Sequence, residues 1–160
     1  MERTGKERYY LDIADTVSER STCLRRRYGA IIVREDEIIS TGYNGAPRGR
    51  RNCTDLGRCT RAELNIPSGE RYELCRSVHA EANAIISASR RDMLDATLYL
   101  SGRDSATGAP LPVATPCSMC RRMIINAGIA RVVSRDGEDG MTVTSVRDWI
   151  FNDDSMPVPM

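Results

Sequence analysis

Residues 29–43 read Gly29-Ala30-Ile31-Ile32-Val33-Arg34-Glu35-Asp36-Glu37-Ile38-Ile39-Ser40-Thr41-Gly42-Tyr43. Both ends of this stretch are rich in β-branched residues, which favour strands. The polar centre, Arg34-Glu35-Asp36, has the length and chemistry of a hairpin turn. The stretch therefore predicts a β-hairpin that supplies the first two strands of a sheet.

The elements on either side of this hairpin complete an α/β pattern. Before it, Tyr10, Ala14 and Val17 recur at helical spacing and predict an amphipathic helix over residues 6–20. After it, apolar patterning predicts helices over residues 79–90 and 116–128, and strands over residues 96–100, 130–134 and 141–146. This order predicts a three-layer α/β/α fold with a mixed five-stranded sheet and helices on both faces.

Length and composition indicate a single domain over residues 1–160, with 41% hydrophobic and 28% charged residues. The first residues are charged and no run approaches the length of a membrane span, so we expect a cytoplasmic chain without a membrane partner. Its six cysteines are then thiols or metal ligands rather than a disulfide framework. A net charge of +1 gives no general attraction to nucleic acid, and no such partner is expected.

The polar segment over residues 44–78 carries an excess of arginine over acidic residues. Its arginines are Arg48, Arg50, Arg51, Arg58, Arg61, Arg71 and Arg76. Such an excess suits a phosphate-bearing ligand, for which Arg25, Arg26 and Arg27 are further candidates. A solvated, arginine-rich loop is the competing interpretation.

The chain's single histidine stands in Val78-His79-Ala80-Glu81, and a second motif follows as Pro116-Cys117-Ser118-Met119-Cys120. Cys117 and Cys120 are three residues apart at the start of a predicted helix, so both sulfurs project from one face. The helix dipole at that end favours thiolates. Two sulfurs and the His79 imidazole supply three tetrahedral zinc ligands and leave a fourth position for water, which is typical of a catalytic site.

Glu81 follows the histidine by two residues and can reach such a water without binding the metal. A carboxylate there can take the proton of a zinc-activated water and return it to a ring nitrogen and a departing amine. His-x-Glu paired with Pro-Cys-x-x-Cys is a signature of zinc deaminases. These residues therefore predict hydrolytic deamination.

At these motifs the sequence resembles the cytidine and deoxycytidylate deaminase superfamily, and within it most closely the deoxycytidylate deaminases. The resemblance covers residues 21–133. Its specific parts are Ser21-Thr22-Cys23, residues 29–33, Thr41-Gly42-Tyr43-Asn44-Gly45-Ala46-Pro47, residues 79–85, residues 116–120 and Ile125-Asn126-Ala127-Gly128-Ile129.

The resemblance implies that His79, Cys117 and Cys120 bind catalytic zinc and that Glu81 shuttles protons. It further implies that the Ala80 backbone contacts the pyrimidine and that Asn44 binds the sugar. A side-chain amide at a strand end can donate and accept toward a hydroxyl, although Asn44 could equally be a turn residue. The implied reaction is deamination of dCMP to dUMP with release of ammonia. Homo-oligomers occur among deoxycytidylate deaminases, so we expect one here.

Two departures from that group leave other substrates open. Residues 101–115 form a longer link before Pro116 than is usual there, and residues 136–140 form a tight turn that makes the last two strands antiparallel. Cytidine, a guanine-type base and a riboflavin precursor are the alternatives within enzymes. A non-catalytic, zinc-stabilised binding module is a further alternative, against which Glu81 argues, because a structural zinc needs no nearby base.

Four cysteines remain once Cys117 and Cys120 are assigned: Cys23, Cys53, Cys59 and Cys75. Four thiolates complete a closed tetrahedral site, and three of these lie in the long polar segment, which a metal crosslink would order. Deoxycytidylate deaminases often carry a second zinc near these positions. We therefore expect a second, structural zinc ion, with buried free thiols as the alternative.

Overall fold

The computed structural model describes residues 1–152. In this part of the chain the α-helices are α1 (Lys6–Ser18), α2 (Cys53–Leu56), α3 (Thr60–Glu63), α4 (Ala80–Ile86), α5 (Arg90–Met93), α6 (Ser118–Ala127) and α7 (Val146–Phe151). The strands are β1 (Arg26–Arg34), β2 (Glu37–Tyr43), β3 (Thr97–Asp104), β4 (Arg131–Asp136) and β5 (Gly140–Ser145), and Tyr72–Leu74 forms one 3-10 turn.

The strands form one mixed sheet in the order β2-β1-β3-β4-β5. β1 is antiparallel to both β2 and β3, β3 is parallel to β4, and β4 is antiparallel to β5. The predicted hairpin and the predicted antiparallel pairing of the last two strands are both confirmed. The parallel β3–β4 pair arises because α6 crosses between them.

Successive side chains of each strand point to opposite faces, and each face is covered by helices. On one face α1 packs Leu11 and Ala14 against Ile31 and Val133. On the other face, α4 and α6 pack against a cluster that includes Ala30, Ile32, Leu98, Leu100 and Val132. The three-layer α/β/α architecture is therefore the one that the sequence predicts. The second face carries α4, which follows His79, and α6, which follows Cys117.

Several predicted boundaries were wrong. The helix predicted over residues 79–90 ends at Ile86, because the Ser89 side chain accepts a hydrogen bond from the Asp92 N–H and begins α5 instead. The strand predicted over residues 96–100 continues to Asp104, since residues 101–104 stay paired with β1. Gly128 ends α6 as predicted, with φ at 82° in the left-handed region.

Other parts of the chain were not predicted. Residues 44–78, in which the sequence shows no clean periodicity, contain α2, α3 and the 3-10 turn, and α7 follows β5 directly. The proline-containing tail over residues 156–160 lies outside the described residues. Between residues 1 and 152 no helix has both the length and the apolar character to cross a bilayer.

Candidate active site at the start of α4 and α6

The site is built where α4 and α6 begin, side by side on one face of the sheet. His79 is the residue that precedes α4, Cys117 is the residue that precedes α6, and Cys120 lies in the first turn of α6. The His79 Nδ1 atom lies 3.6 Å from the Cys117 Sγ and 3.4 Å from the Cys120 Sγ. Two helix starts thus bring together residues that are far apart in sequence.

This arrangement fits a tetrahedral zinc ion. A nitrogen and a sulfur held at zinc–ligand distances of about 2.0–2.1 and 2.3 Å, at the tetrahedral angle, are about 3.6 Å apart. The three ligand atoms lie within 4.8 Å of one another, and residues 1–152 contain no other group of three cysteine, histidine or acidic residues that meets this limit. The donor set and the spacing therefore match a three-ligand zinc site.

The titration of Cys117 is consistent with a metal ligand. A hydrogen bond from the Cys120 thiol, assisted by His79, lowers the pKa of Cys117 to about 4 against the opposing effect of burial. The thiolate is the form that binds a metal.

Glu81 lies in the first turn of α4 and is only 5% exposed. Burial is the main cause that raises the pKa of its carboxyl group. A carboxyl group whose pKa is shifted toward neutrality can take up a proton and give it back during one turnover. Glu81 lines the same cleft as His79 and Cys117.

The walls of this cleft come from several parts of the chain. Its other lining residues are Cys23, Arg25, Arg26, Tyr28, Asn44, Cys59, Arg61, Ser68, Tyr72, Cys75, Ser77, Ala80 and Thr115. Aromatic and polar side chains thus surround the start of α4, which leaves a concave space in front of the three ligands. Such a space suits a small cyclic substrate.

Comparison with known proteins identifies the family. Residues 4–135 match the cytidine and deoxycytidylate deaminase zinc-binding region. The chain belongs to this deaminase family.

Relatives with this domain differ in length. The chain is 36% identical over 137 residues to the deoxycytidylate deaminase of Mycobacterium phage D29, covering 83% of this chain and 96% of the phage protein. It is 34% identical over 132 residues to the deoxycytidylate deaminase of Schizosaccharomyces pombe, covering 82% of this chain but only 37% of the yeast protein. The deaminase thus spans nearly all of the phage relative and about a third of the yeast one.

A solved structure agrees with the fold. The dCMP deaminase from the cyanophage S-TIM5 in apo form superposes with a TM-score of 0.59 at 25% identity, over 86% of this chain and 88% of that protein. The mixed five-stranded sheet with its two helical layers is therefore the fold of this family.

Asn44 lines the cleft, and most of the hydrogen-bonding capacity of its side chain is taken by other residues of the protein. The Asn44 Oδ1 atom accepts hydrogen bonds from the Ser21 hydroxyl at 2.6 Å and from the Tyr28 N–H at 2.8 Å. Its Nδ2 donates to the Arg26 carbonyl oxygen at 2.9 Å. One amide hydrogen of Asn44 remains for a ligand. Sugar binding by Asn44 therefore stays a prediction, in which the side-chain amide donates a hydrogen bond and does not accept one.

Ala80 is fully buried at the first position of α4 and is one of the residues that line the cleft. An N–H at the start of a helix has no acceptor within that helix. The Ala80 N–H therefore has no acceptor within α4, and its contact with a pyrimidine stays a prediction.

Only three of the candidate arginines line the cleft in front of the zinc ligands, namely Arg25, Arg26 and Arg61. Arg58 pairs with Glu63 and Arg71 pairs with Glu73 on the exposed surface. Most of the arginine excess in residues 44–78 is thus solvated or locally paired.

The four remaining cysteines line one neighbouring cleft together. Burial, reinforced by nearby Cys23, Cys75 and Cys59, raises the pKa of the Cys53 thiol. Their sulfur atoms do not reach the 4.8 Å grouping that the catalytic ligands show within the described residues. These cysteines are close neighbours, and none of them forms a disulfide within the described residues.

Tyr72 is a cleft residue that the sequence analysis missed. Its ring meets the His79 ring edge-on, with centroids 4.7 Å apart and planes at 85°. An isolated tyrosine in a polar, non-periodic segment gives no signal that would have identified it. The sequence analysis grouped Arg61 with the other arginines of residues 44–78 and gave no sign that its guanidinium bonds backbone carbonyl oxygens of that segment.

Proposed function

We propose that this deaminase hydrolyses dCMP to dUMP and ammonia. The observation that carries the proposal is the grouping of His79, Cys117 and Cys120 beside the buried carboxyl group of Glu81. The names of the phage and yeast relatives favour deoxycytidylate over other cytosine compounds. Arg25 and Arg26, which line the same cleft, favour a substrate with a phosphate.

The reaction adds the water oxygen to C4 of the cytosine ring and breaks the bond from C4 to the exocyclic nitrogen, which leaves as ammonia. His79, Cys117 and Cys120 would hold a zinc ion, which would supply a Lewis acid that lowers the pKa of water toward roughly 7. The Glu81 carboxylate takes one proton from the attacking water and delivers it to the ring nitrogen, and then carries the second to the departing amine. Burial of Glu81 supports this shuttle, because it keeps the protonated form accessible.

The Ala80 N–H supports binding of the pyrimidine by donating to its carbonyl oxygen. The remaining Asn44 amide hydrogen is placed to donate to the sugar. Arg26 supports a phosphate subsite at the mouth of the cleft, where its Nη1 donates to the Ser68 hydroxyl at 3.4 Å. Guanidinium and hydroxyl donors on one wall are the groups that bind a phosphate.

Ammonia release from a panel of compounds tests the substrate. The panel holds dCMP, deoxycytidine, CMP, cytidine, guanine and a riboflavin precursor. We expect the largest kcat/KM for dCMP, with deoxycytidine lower by tenfold or more, since a charge-assisted contact to phosphate is worth about 1.5–3 kcal/mol. Equal constants for dCMP and deoxycytidine would remove the phosphate argument, and no ammonia from any compound would favour a zinc-stabilised binding module.

Two arginine variants localise the phosphate. Arg26→Met should narrow the preference for dCMP over deoxycytidine, because it removes a cleft guanidinium. Arg58→Met is the matched control, since Arg58 is an exposed arginine paired with Glu63 away from the cleft. A preference unchanged in Arg26→Met would place the phosphate elsewhere.

We also propose a second, structural zinc ion held by Cys23, Cys53, Cys59 and Cys75. Their shared cleft and the effect of Cys23, Cys59 and Cys75 on the pKa of Cys53 support this site. Elemental analysis should find two zinc ions per chain, falling to one in Cys53→Ser and in Cys59→Ser with a lower melting temperature. A count of one in fully loaded wild-type protein contradicts the second site.

A cytoplasmic homo-oligomer is the remaining part of the proposal. Free cysteines suit a reducing compartment. The exposed apolar side chains of Ile86 and Phe151, at 69% and 71% exposure, support burial against another copy. Light scattering on the purified chain measures the assembly, and a monomer at working concentration would contradict it.

A further inference from the structure

A short series of contacts leads from α3 to the zinc ligand His79. The Arg61 guanidinium lies over the Tyr72 ring, 4.5 Å from its centroid, and that ring meets the His79 ring edge-on. The hydrogen-bond contacts of the His79 ring within residues 1–152 are those of Nδ1 with the two sulfurs. The Tyr72 ring is thus a direct neighbour that limits how the imidazole can turn.

Arg61 is a buried cation, with 7% exposure. Its Nη2 donates to the Pro67 carbonyl at 2.8 Å and to the Glu70 carbonyl at 2.9 Å, and its Nε donates to the same Glu70 oxygen at 3.2 Å. Among the described residues, none of the ion pairs includes Arg61. Carbonyl oxygens and an aromatic face therefore compensate a charge that burial would otherwise penalise.

These bonds fix the backbone just before Tyr72. Arg71 adopts the left-handed conformation with φ at 53°, which a non-glycine residue keeps only when its surroundings impose it. The Leu74 N–H then bonds the Arg71 carbonyl oxygen at 3.0 Å, which closes the 3-10 turn that carries Tyr72. The direction of the Tyr72 ring thus follows from the turn that Arg61 holds.

We propose that Arg61 and Tyr72 are positioning residues for the zinc ligand His79, an inference that rests on the proposed function only in placing zinc on His79. Zinc-binding histidines are usually oriented by a hydrogen-bond partner of the other ring nitrogen, and loss of that partner typically weakens metal binding or activity by 10- to 100-fold. Here an aromatic edge contact restrains the ring, and a buried arginine holds the aromatic residue in place.

Four variants test the proposal. Tyr72→Leu removes the ring and keeps an apolar side chain, whereas Tyr72→Phe keeps the ring and is the conservative rescue. Arg61→Met removes the guanidinium and keeps the stem, and Arg58→Met is the matched control at an exposed arginine nearby. The readout is the zinc retained per chain after dialysis against graded chelator, with melting temperature measured on the same samples.

We expect Tyr72→Leu and Arg61→Met to lose catalytic zinc at about tenfold lower chelator concentration than wild type. Tyr72→Phe and Arg58→Met should behave as wild type. The same titration in a Cys53→Ser background, which lacks the second proposed ion, assigns the released zinc to the site of His79, Cys117 and Cys120 without any measurement of activity.

A folded Tyr72→Leu that keeps zinc as firmly as Tyr72→Phe overturns the proposal. If Arg61→Met does not fold, the comparison of Tyr72→Leu with Tyr72→Phe alone tests the proposal. Failure of the wild type to release ammonia from dCMP would overturn the proposed substrate and leave these zinc measurements interpretable.

Discussion

Gly42 in β2 lies directly against Ala80 in α4, so that a Cβ atom at Gly42 would collide with the Ala80 carbonyl oxygen. The same Cβ would also collide with the Ala84 amide nitrogen. Only a glycine lets the helix backbone approach the strand this closely. The first turn of α4, which carries Glu81, therefore rests on the sheet at a position set by one missing side chain.

Gly42→Ala should destabilise the fold and lower activity together, because the obstructing atoms belong to a helix backbone that cannot move alone. We expect a loss of about 3 kcal/mol, at the upper end for forced overpacking. Urea denaturation and dCMP turnover measure the two effects.

Gly5→Ala is the matched control for Gly42→Ala, since a Cβ at Gly5 meets nothing within 4 Å. Because Gly5 is the N-cap of α1, where alanine is less favourable than glycine, this substitution should cost no more than about 1 kcal/mol and should leave activity unchanged. Wild-type stability in Gly42→Ala would show that α4 does not depend on this contact.

Asn44→Ala should lower stability as well as activity. The substitution leaves the Tyr28 N–H and the Arg26 carbonyl oxygen without their partner, and an unsatisfied buried group costs about 1–3 kcal/mol. Thermal melting and the KM for dCMP are measured on the same protein. A raised KM at unchanged melting temperature would assign Asn44 to the substrate alone.

Much of this architecture could be predicted from local patterns. The hairpin over residues 29–43 carried its turn between two β-rich runs, and the order of helices and strands left few ways to layer them. The grouping of His79, Cys117 and Cys120 could be predicted because each stands at a helix start, where spacing along the chain fixes the direction of the side chains.

Other features depend on contacts between distant residues. Helix α4 is shorter than its apolar pattern because the Ser89 side chain accepts a hydrogen bond from the Asp92 N–H and begins α5. The spacing of apolar residues gives no sign of this hydrogen bond. Arg61 was one of several arginines considered for a phosphate, and its side-chain hydrogen bonds within the described residues all go to carbonyl oxygens of its own segment. Tyr72 reaches His79 only after that segment folds, so sequence spacing carried no sign of it.

Stability should fall at acid pH through Asp15. The Arg103 guanidinium donates to both Asp15 carboxylate oxygens, at 2.7 and 2.8 Å. Although burial opposes the charged form, these bonds hold the pKa of Asp15 below its ordinary value of 3.8. A lowered folded-state pKa gives stability that is present above the unfolded pKa and is lost as pH falls, here below about pH 5.

Asp15→Asn is the comparison, since it has no carboxylate to protonate. Between about pH 5 and 3, wild type should lose more of its free energy of unfolding than Asp15→Asn does. Chemical denaturation across this range measures both proteins. Parallel curves would show that the Asp15–Arg103 pair makes no pH-dependent contribution.

The central claim is that Glu81 moves the protons while His79, Cys117 and Cys120 hold the metal, and Glu81→Gln tests it most directly. This substitution keeps the size and the buried position but removes the group that titrates. We expect the variant to keep the zinc content and melting temperature of wild type while its turnover of dCMP falls by about 10²- to 10⁴-fold. Turnover above a few per cent of wild type in a folded, zinc-loaded Glu81→Gln protein would contradict the account.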